Sequence, residues 1–290
     1  MKVNSTAKRI ALALLLAPAT GSVQATGYYA GNGACYPPVN CGYAPFECGA
    51  MNFEFKAGVA PKVWTRDRDR VFGVVPTTSP NIPFVDFVKI PRFRCLYKLP
   101  WTVGIKLGYF LSCNLETFLE FNYTQADARR AFTFGVPLDS VGATINVRPT
   151  NKLKEFSGFL GTRYYWNRWF CNTTSWFFGA KVGVTHHRAR CFDFVVTGVP
   201  NTADFTSSVE TLFRRHTSVA GGVHTGFDVK LWCGFSFVFT AEAVASCGPR
   251  GNQNIALATP TQGLGLTNIS VGSVGTEVTF PITFGIQYTF

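Results

Sequence analysis

The stretch EVTFPITFGIQYTF, Glu277 to Phe290, sets Val278, Phe280, Ile282, Phe284, Ile286, Tyr288 and Phe290 in alternation with Thr279, Pro281, Thr283, Gly285, Gln287 and Thr289. Successive side chains of an extended strand point to opposite faces, so this period of two gathers the large apolar groups on one face and the small or polar ones on the other. The run exceeds the ~5–6 residues of an ordinary globular strand and reaches the ~9–11 residues of an inclined membrane strand. It predicts a strand of a membrane β-barrel.

Seven earlier segments alternate in the same way: Asn52 to Thr65, Trp101 to Leu111, Leu115 to Tyr123, Leu153 to Tyr165, Ser175 to His187, Ser218 to Leu231 and Phe235 to Ala245. The connections between them alternate as well. Ser112-Cys113-Asn114, Trp166 to Thr174 and Trp232-Cys233-Gly234 are short, whereas Arg66 to Pro100, Thr124 to Lys152, Arg188 to Thr217 and Ser246 to Thr276 are long. Short periplasmic turns and long outer loops are the signature of an outer-membrane barrel. The expected fold is therefore all-β: a transmembrane antiparallel up-and-down barrel of eight strands, with both mature termini in the periplasm and the long loops at the cell surface.

Each long loop holds a pair of apolar, β-prone pieces: Val71 to Val75 and Ile82 to Ile90, Ala131 to Val136 and Ala143 to Val147, Phe192 to Val199 and Val209 to Phe213, Ile255 to Leu257 and Leu266 to Val274. Most are shorter than the ~9 residues a spanning strand needs. They are expected to form hairpins prolonging the barrel above the membrane. The alternative, in which all eight pieces span lipid, gives sixteen strands.

Lys2, Lys8 and Arg9 precede an apolar run from Ile10 to Ala17, and Val23-Gln24-Ala25 supplies small residues at a cleavage site. This pattern predicts a secretory signal peptide over 1–25. Removing its three cations from the 27 Lys and Arg leaves 24 against 16 Asp and Glu, a mature charge of +8. Charged residues make up only 15% of the chain, against about 25% in soluble domains, which suits a surface facing lipid. A secreted β-sandwich could share that deficit. Residues 26–51, rich in Tyr, Pro, Gly and Cys without an apolar period, are expected as a periplasmic extension, and residues 52–290 as the barrel.

Nine cysteines are present. On the eight-strand topology Cys35, Cys41, Cys48, Cys113, Cys171 and Cys233 fall on the periplasmic side, and Cys95, Cys191 and Cys247 lie in outer loops. An exported protein meets an oxidising compartment, so all nine are disulfide candidates, within the chain or to neighbouring proteins. The odd count leaves at least one free, capped or bonded to another molecule. The spacing of Cys35, Cys41 and Cys48 does not match a zinc site, and no metal or cofactor is expected.

A terminal aromatic with others at two-residue intervals (Phe284, Ile286, Tyr288, Phe290) resembles the closing strand of bacterial outer-membrane barrels. There it serves as an insertion signal, which implies the barrel-assembly machinery as a partner. Together with the cysteines and the aromatic-rich strands, the chain resembles the cysteine-rich major outer membrane protein families of chlamydia-like bacteria. That resemblance implies a structural wall protein, disulfide-crosslinked to itself or to other cysteine-rich envelope proteins, and also a porin role. The eight-strand topology looks more like the small OmpA and OmpW type of surface barrel.

If the apolar faces meet lipid, the opposite faces carry Glu54, Lys56, Lys106, Glu116, Glu120, Glu155, Arg163, Lys181, His224, Asp228, Lys230 and Glu242 into the lumen. Eight strands enclose an interior that side chains just fill, so these charges are expected to pair in a salt-bridge network that plugs the barrel. A narrow gated pathway through the same network is the alternative. Inward glycines, among them Gly104, Gly108 and Gly226, leave room for the long chains. Hydrolysis of lipid A would need Ser, His and a carboxylate to converge. His224 faces inward with Asp228 four residues later, but the pattern places no Ser beside them, and His186-His187 reads as an interfacial pair. No enzymatic function is expected. Outer-loop arginines, including Arg188 and Arg190, lie near strand ends; Arg129-Arg130 and Arg214-Arg215, without dense acidic partners, are expected to meet lipopolysaccharide phosphates. The expected compartment excludes nucleic acid. The function expected from sequence is a structural, surface-exposed envelope barrel, with a porin for small solutes as the alternative.

Overall fold

The computed structural model describes residues 48–64, 71–76, 86–89, 93–129, 134–138, 143–169, 173–197, 205–206, 210–232, 234–248, 255–256, 266–271 and 275–290. The expected signal peptide and most of the N-terminal extension lie outside these residues, as do Cys35, Cys41, Cys171, Cys233 and Arg130.

In chain order the strands are β1 (Met51–Val59), β2 (Lys62–Trp64), β3 (Val71–Pro76), β4 (Asp86–Lys89), β5 (Trp101–Ser112), β6 (Leu115–Ala126), β7 (Phe134–Leu138), β8 (Ala143–Pro149), β9 (Leu153–Trp169) and β10 (Thr174–His187). They continue as β11 (Arg190–Thr197), β12 (Phe205–Thr206), β13 (Glu210–Phe213), β14 (His216–Trp232), β15 (Phe235–Cys247), β16 (Ile255–Ala256), β17 (Leu266–Val271), β18 (Thr276–Thr279) and β19 (Ile282–Thr289). One short helix, α1 (Phe93–Leu96), precedes β5.

Eight strands close on themselves in the order β1, β5, β6, β9, β10, β14, β15, β19, every pairing antiparallel, with β19 returning to β1. Closure removes the unpaired edges that lipid would not tolerate. The barrel has eight spanning strands rather than sixteen.

The first and last strands, each expected to be continuous, are broken by proline. Between β1 and β2 stand Ala60-Pro61, and between β18 and β19 stand Phe280-Pro281. The register does not slip across the gap, since Val59 opposes Ile282 below it and Lys62 opposes Thr279 above it. Pro61 and Pro281 have no N–H to give the ladder, and the gap is bridged by Ala60 N–H to Pro100 O, Phe280 N–H to Pro61 O and Glu242 N–H to Pro281 O. A period-two pattern does not register this loss, because the parity of side chains runs on unchanged.

Above the barrel the loop strands do not form four separate hairpins. β8 pairs β11, joining the second and third long loops in a sheet of β12-β11-β8-β7 with β13 on β11. β3 pairs β17, joining the first and fourth loops in a sheet of β16-β17-β3-β4. Sequence shows which pieces are β-prone, but not which loop each one meets.

The exterior is apolar. Phe53, Phe55, Ile105, Leu107, Leu119, Phe121, Leu160, Val182, Phe284 and Ile286 all point outward and are exposed. Two aromatic girdles bound this belt, as at both surfaces of a membrane barrel. Trp101, Tyr123 and Phe156 lie side by side at the long-loop end, with ring centroids 5.6 and 5.0 Å apart. Tyr164, Trp166, Trp176, Phe178, Phe235, Tyr288 and Phe290 lie at the other end. The spanning part of β9 accordingly runs from Phe156 to Trp166.

Candidate functional site

The lumen is a stack of three charge layers, each holding two cations and two carboxylates. Nearest the short turns, Lys106 (β5) contacts Glu54 (β1) at 3.0 Å and Glu116 (β6) at 2.6 Å, and Arg163 (β9) contacts the same two at 3.3 and 3.8 Å. Asn52 donates to Glu116 at 2.9 Å, as does the Tyr165 hydroxyl. In the middle layer Lys56 (β1) meets Glu120 (β6) at 2.9 Å and Glu242 (β15) at 2.8 Å; Lys181 (β10) meets Glu120 at 2.6 Å and also Glu242.

The third layer stands at the long-loop mouth of the barrel, above Phe156 and therefore beyond the spanning segments. Lys62 (β2) meets Glu277 (β18) at 2.6 Å and also Glu155 (β9). Arg190, at the start of β11, meets Glu155 at 3.1 Å and Glu277 at 3.4 Å, and His187 Nδ1 meets Glu155 at 3.0 Å. Burial pushes both glutamates up, but Lys62 beside them, with Arg190 and His187, holds each below the usual carboxylate range. Burial likewise opposes the charge on Lys62, and Glu155 and Glu277 outweigh it to hold its pKa above the ordinary value.

Each layer is neutral by itself, which is how so many charges can be buried at once: a lone ion here would cost several kcal/mol. Close fitting makes the stack possible. A Cβ on Gly108 would strike the Glu116 carboxylate and Asn52; one on Gly226 would strike the Phe239 carbonyl and the Phe177 ring.

Below the first layer the lumen is closed by Phe110, Tyr165, Phe177 and Val238, all fully buried, with the Arg163 guanidinium 4.0 Å from the centre of the Phe177 ring. Above the third layer Phe93, Leu96 and Tyr97 of and after α1 are buried, and burial pushes the Tyr97 hydroxyl up to about 12. Between the second and third layers lies a cavity of about 40 Å³ lined by Lys56, Lys62, Glu155, Thr185, Glu242 and Ser246, among others. It has space for a few water molecules.

Ten of the twelve inward charges read from sequence fall into place by strand parity: Glu54, Lys56, Lys106, Glu116, Glu120, Glu155, Arg163, Lys181 and Glu242 in the layers, and Asp228 buried beside them. Asp228 accepts from Gln287 Nε2 at 3.4 Å and is hydrogen-bonded to Ser236, with the charge of Lys230 acting on it. Lys230 itself is half-buried near the turn and is not a member of a layer. His224 is inward but packs against Phe118 and Phe177, and neither ring nitrogen has a hydrogen-bond partner among the described residues.

Three members of the third layer were missed as lumen groups. Lys62 shares the parity of Glu54 and Lys56, and Glu277 that of Thr279 and Gln287, so both were readable. Arg190 follows a strand end, where parity stops, and it turns inward rather than toward the surface. His187 is likewise buried on Glu155, while His186 meets Thr217 Oγ1 at 2.9 Å outside, so the two histidines do not form one interfacial pair.

Of the surface arginines, Arg129, Arg214 and Arg215 are exposed. The described cysteines, Cys48, Cys95, Cys113, Cys191 and Cys247, carry free thiols in this structure. Cys48 lies beside the turn that holds Cys113, its Sγ–H donating to Leu111 O at 3.3 Å.

No protein-family model and no curated protein sequence matches the chain. Solved structures of similar shape include OprG from Pseudomonas aeruginosa (16% identity, 84% of this chain and 98% of that one, TM-score 0.38) and Neisserial surface protein A (13%, 83% and 99%, 0.35). The outer membrane protease OmpT from Escherichia coli is also similar (9%, 83% and 97%, 0.31). At these identities and TM-scores no residue role transfers from any of them.

Proposed function

We propose that this chain is a structural, surface-exposed protein of a bacterial outer membrane, its barrel closed to solutes. The observation that carries this reading is the filled lumen: three neutral charge layers stacked on an aromatic floor. A porin for passive diffusion needs a continuous aqueous path, and the buried Lys106, Arg163, Lys56 and Lys181 ion pairs occupy the section where it would run. The apolar belt between aromatic girdles supports the membrane placement, and the short turns against long loops support periplasmic termini.

Crosslinking to neighbouring cysteine-rich envelope proteins, as the likeness to chlamydia-like bacteria implies, rests on Cys48 and Cys113, two thiols at the periplasmic end. Exposed Arg129, Arg214 and Arg215 are offered to lipopolysaccharide phosphates, whose geometry a guanidinium matches. Planar-bilayer recording of the refolded mature protein tests the closed barrel. Silence or rare small openings are expected, and steady ohmic conductance would make the protein a porin. For the wall role, native envelopes run with and without reductant should show higher-mass species only without it; identical migration would remove crosslinking from the function.

A further inference from the structure

Beside the third layer, His187 Nε2 lies 3.4 Å from Ser218 Oγ while its Nδ1 lies 3.0 Å from Glu155 Oε1. The three come from β14, β10 and β9, neighbouring strands of the barrel, and all are buried. Glu155, held ionised by Lys62 and Arg190, can only accept at Nδ1. With Nδ1–H donated to Glu155, the neutral form of the ring has Nε2 as the acceptor for the Ser218 hydroxyl. The ring plane is held as well, stacked on His216 at 4.7 Å with 10° between planes. A hydroxyl, a base and an orienting carboxylate in this order are the parts of a nucleophilic serine site.

We propose that Ser218, His187 and Glu155 form a serine-hydrolase site acting on small carboxylic esters. Glu155 lines the cavity between the second and third layers, as does Thr185, the cross-strand partner of Ser218; Ser218 and His187 adjoin the cavity through these two residues and are not on its lining. Space of about 40 Å³ admits only a short acyl group.

Ser218 Oγ bonds to the ester carbonyl carbon as its proton passes to His187 Nε2. The ester C–O bond then breaks and the departing alcohol takes that proton. Water, deprotonated by the same nitrogen, cleaves the acyl-enzyme to the carboxylic acid and restores Ser218. Glu155 is a positioning residue, acting through the imidazole. This activity is independent of the closed-barrel reading, since it needs no path through the lumen.

The test uses the folded, full-length mature barrel in detergent, treated with methanesulfonyl fluoride, whose single methyl group suits so small a space, and in parallel with p-nitrophenyl acetate. A single label on Ser218 is expected, absent in Ser218→Ala and slowed about 100-fold in His187→Gln. Glu155→Gln should lower kcat with KM unchanged, a split that loosened packing alone would not give. Ser218→Ala leaves every ion pair of the layer intact, so it reports even if the other variants fold poorly. Lack of labelling in the folded wild type, a label on another residue, or labelling and hydrolysis that persist in Ser218→Ala would overturn the site.

Discussion

Lys56 on β1 and Glu242 on β15 meet at 2.8 Å in the middle of the barrel, although 186 positions separate them in the chain. With Glu120 and Lys181 they form a square in which each cation touches both carboxylates. Taking one charge from such a buried set leaves another uncompensated, whereas taking a cation and an anion together leaves a neutral pair. Lys56→Met should therefore destabilise the barrel by about 3–5 kcal/mol. Lys56→Met with Glu242→Leu, which leaves Lys181 on Glu120, should recover much of that. Urea unfolding of the refolded barrel, compared as a double-mutant cycle, reads both values; additive losses would show that the square does not act as a unit.

Acid should act on the third layer through Glu155 and Glu277. Both have folded pKa values below the ordinary 4.5, so below that pH the folded state binds fewer protons than the unfolded chain. Their stabilisation is complete above the ordinary value and is lost as pH falls through the lowered ones. Lys62→Met removes the strongest cause of the lowering. The stability gap between wild type and Lys62→Met should thus be widest near neutral pH and shrink as pH falls from the ordinary carboxylate value toward the lowered ones. A gap that stays constant in urea midpoints across that range would show that Lys62 does not hold these carboxylates ionised.

Gly226 is fitted against its neighbours on two sides. In Gly226→Ala the new methyl meets the Phe239 carbonyl of the paired strand and the Phe177 ring of the floor, and the former cannot move without loosening β14 from β15. Overpacking of this kind costs about 1–3 kcal/mol. The same substitution at Gly221, where the nearest atom to an added Cβ is 3.6 Å away, should change the urea midpoint little and serves as the control.

The aromatic floor should be the easiest part of the plug to open. Phe110→Ala with Phe177→Ala removes two fully buried rings and the face on which Arg163 rests. Small intermittent conductance is expected in a planar bilayer where the wild type is silent. Continued silence would assign the seal to the charge layers alone.

Strand parity carried a great deal here. The eight spanning segments, the short and long connections, and the inward placement of Glu54, Lys56, Lys106, Glu116, Glu120, Arg163, Lys181 and Glu242 all follow from a period of two, because an extended backbone leaves a side chain only two directions. The same rule covers Lys62 and Glu277. It says nothing about height, the coordinate along the barrel axis that sorts charges into layers. Height depends on how each strand is staggered against its neighbours, and that is a property of the closed sheet.

By itself, then, the sequence determined which residues look inward and which meet lipid, since that choice is local. Only the tertiary structure decided who pairs with whom: Lys56 with Glu242, Arg190 turned in on Glu155 and Glu277, β8 on β11 across two loops, and Ser218 beside His187. Closing the sheet at one register brings distant strands to the same level, and beyond the strand ends, where Arg190 stands, packing rather than periodicity directs the side chain.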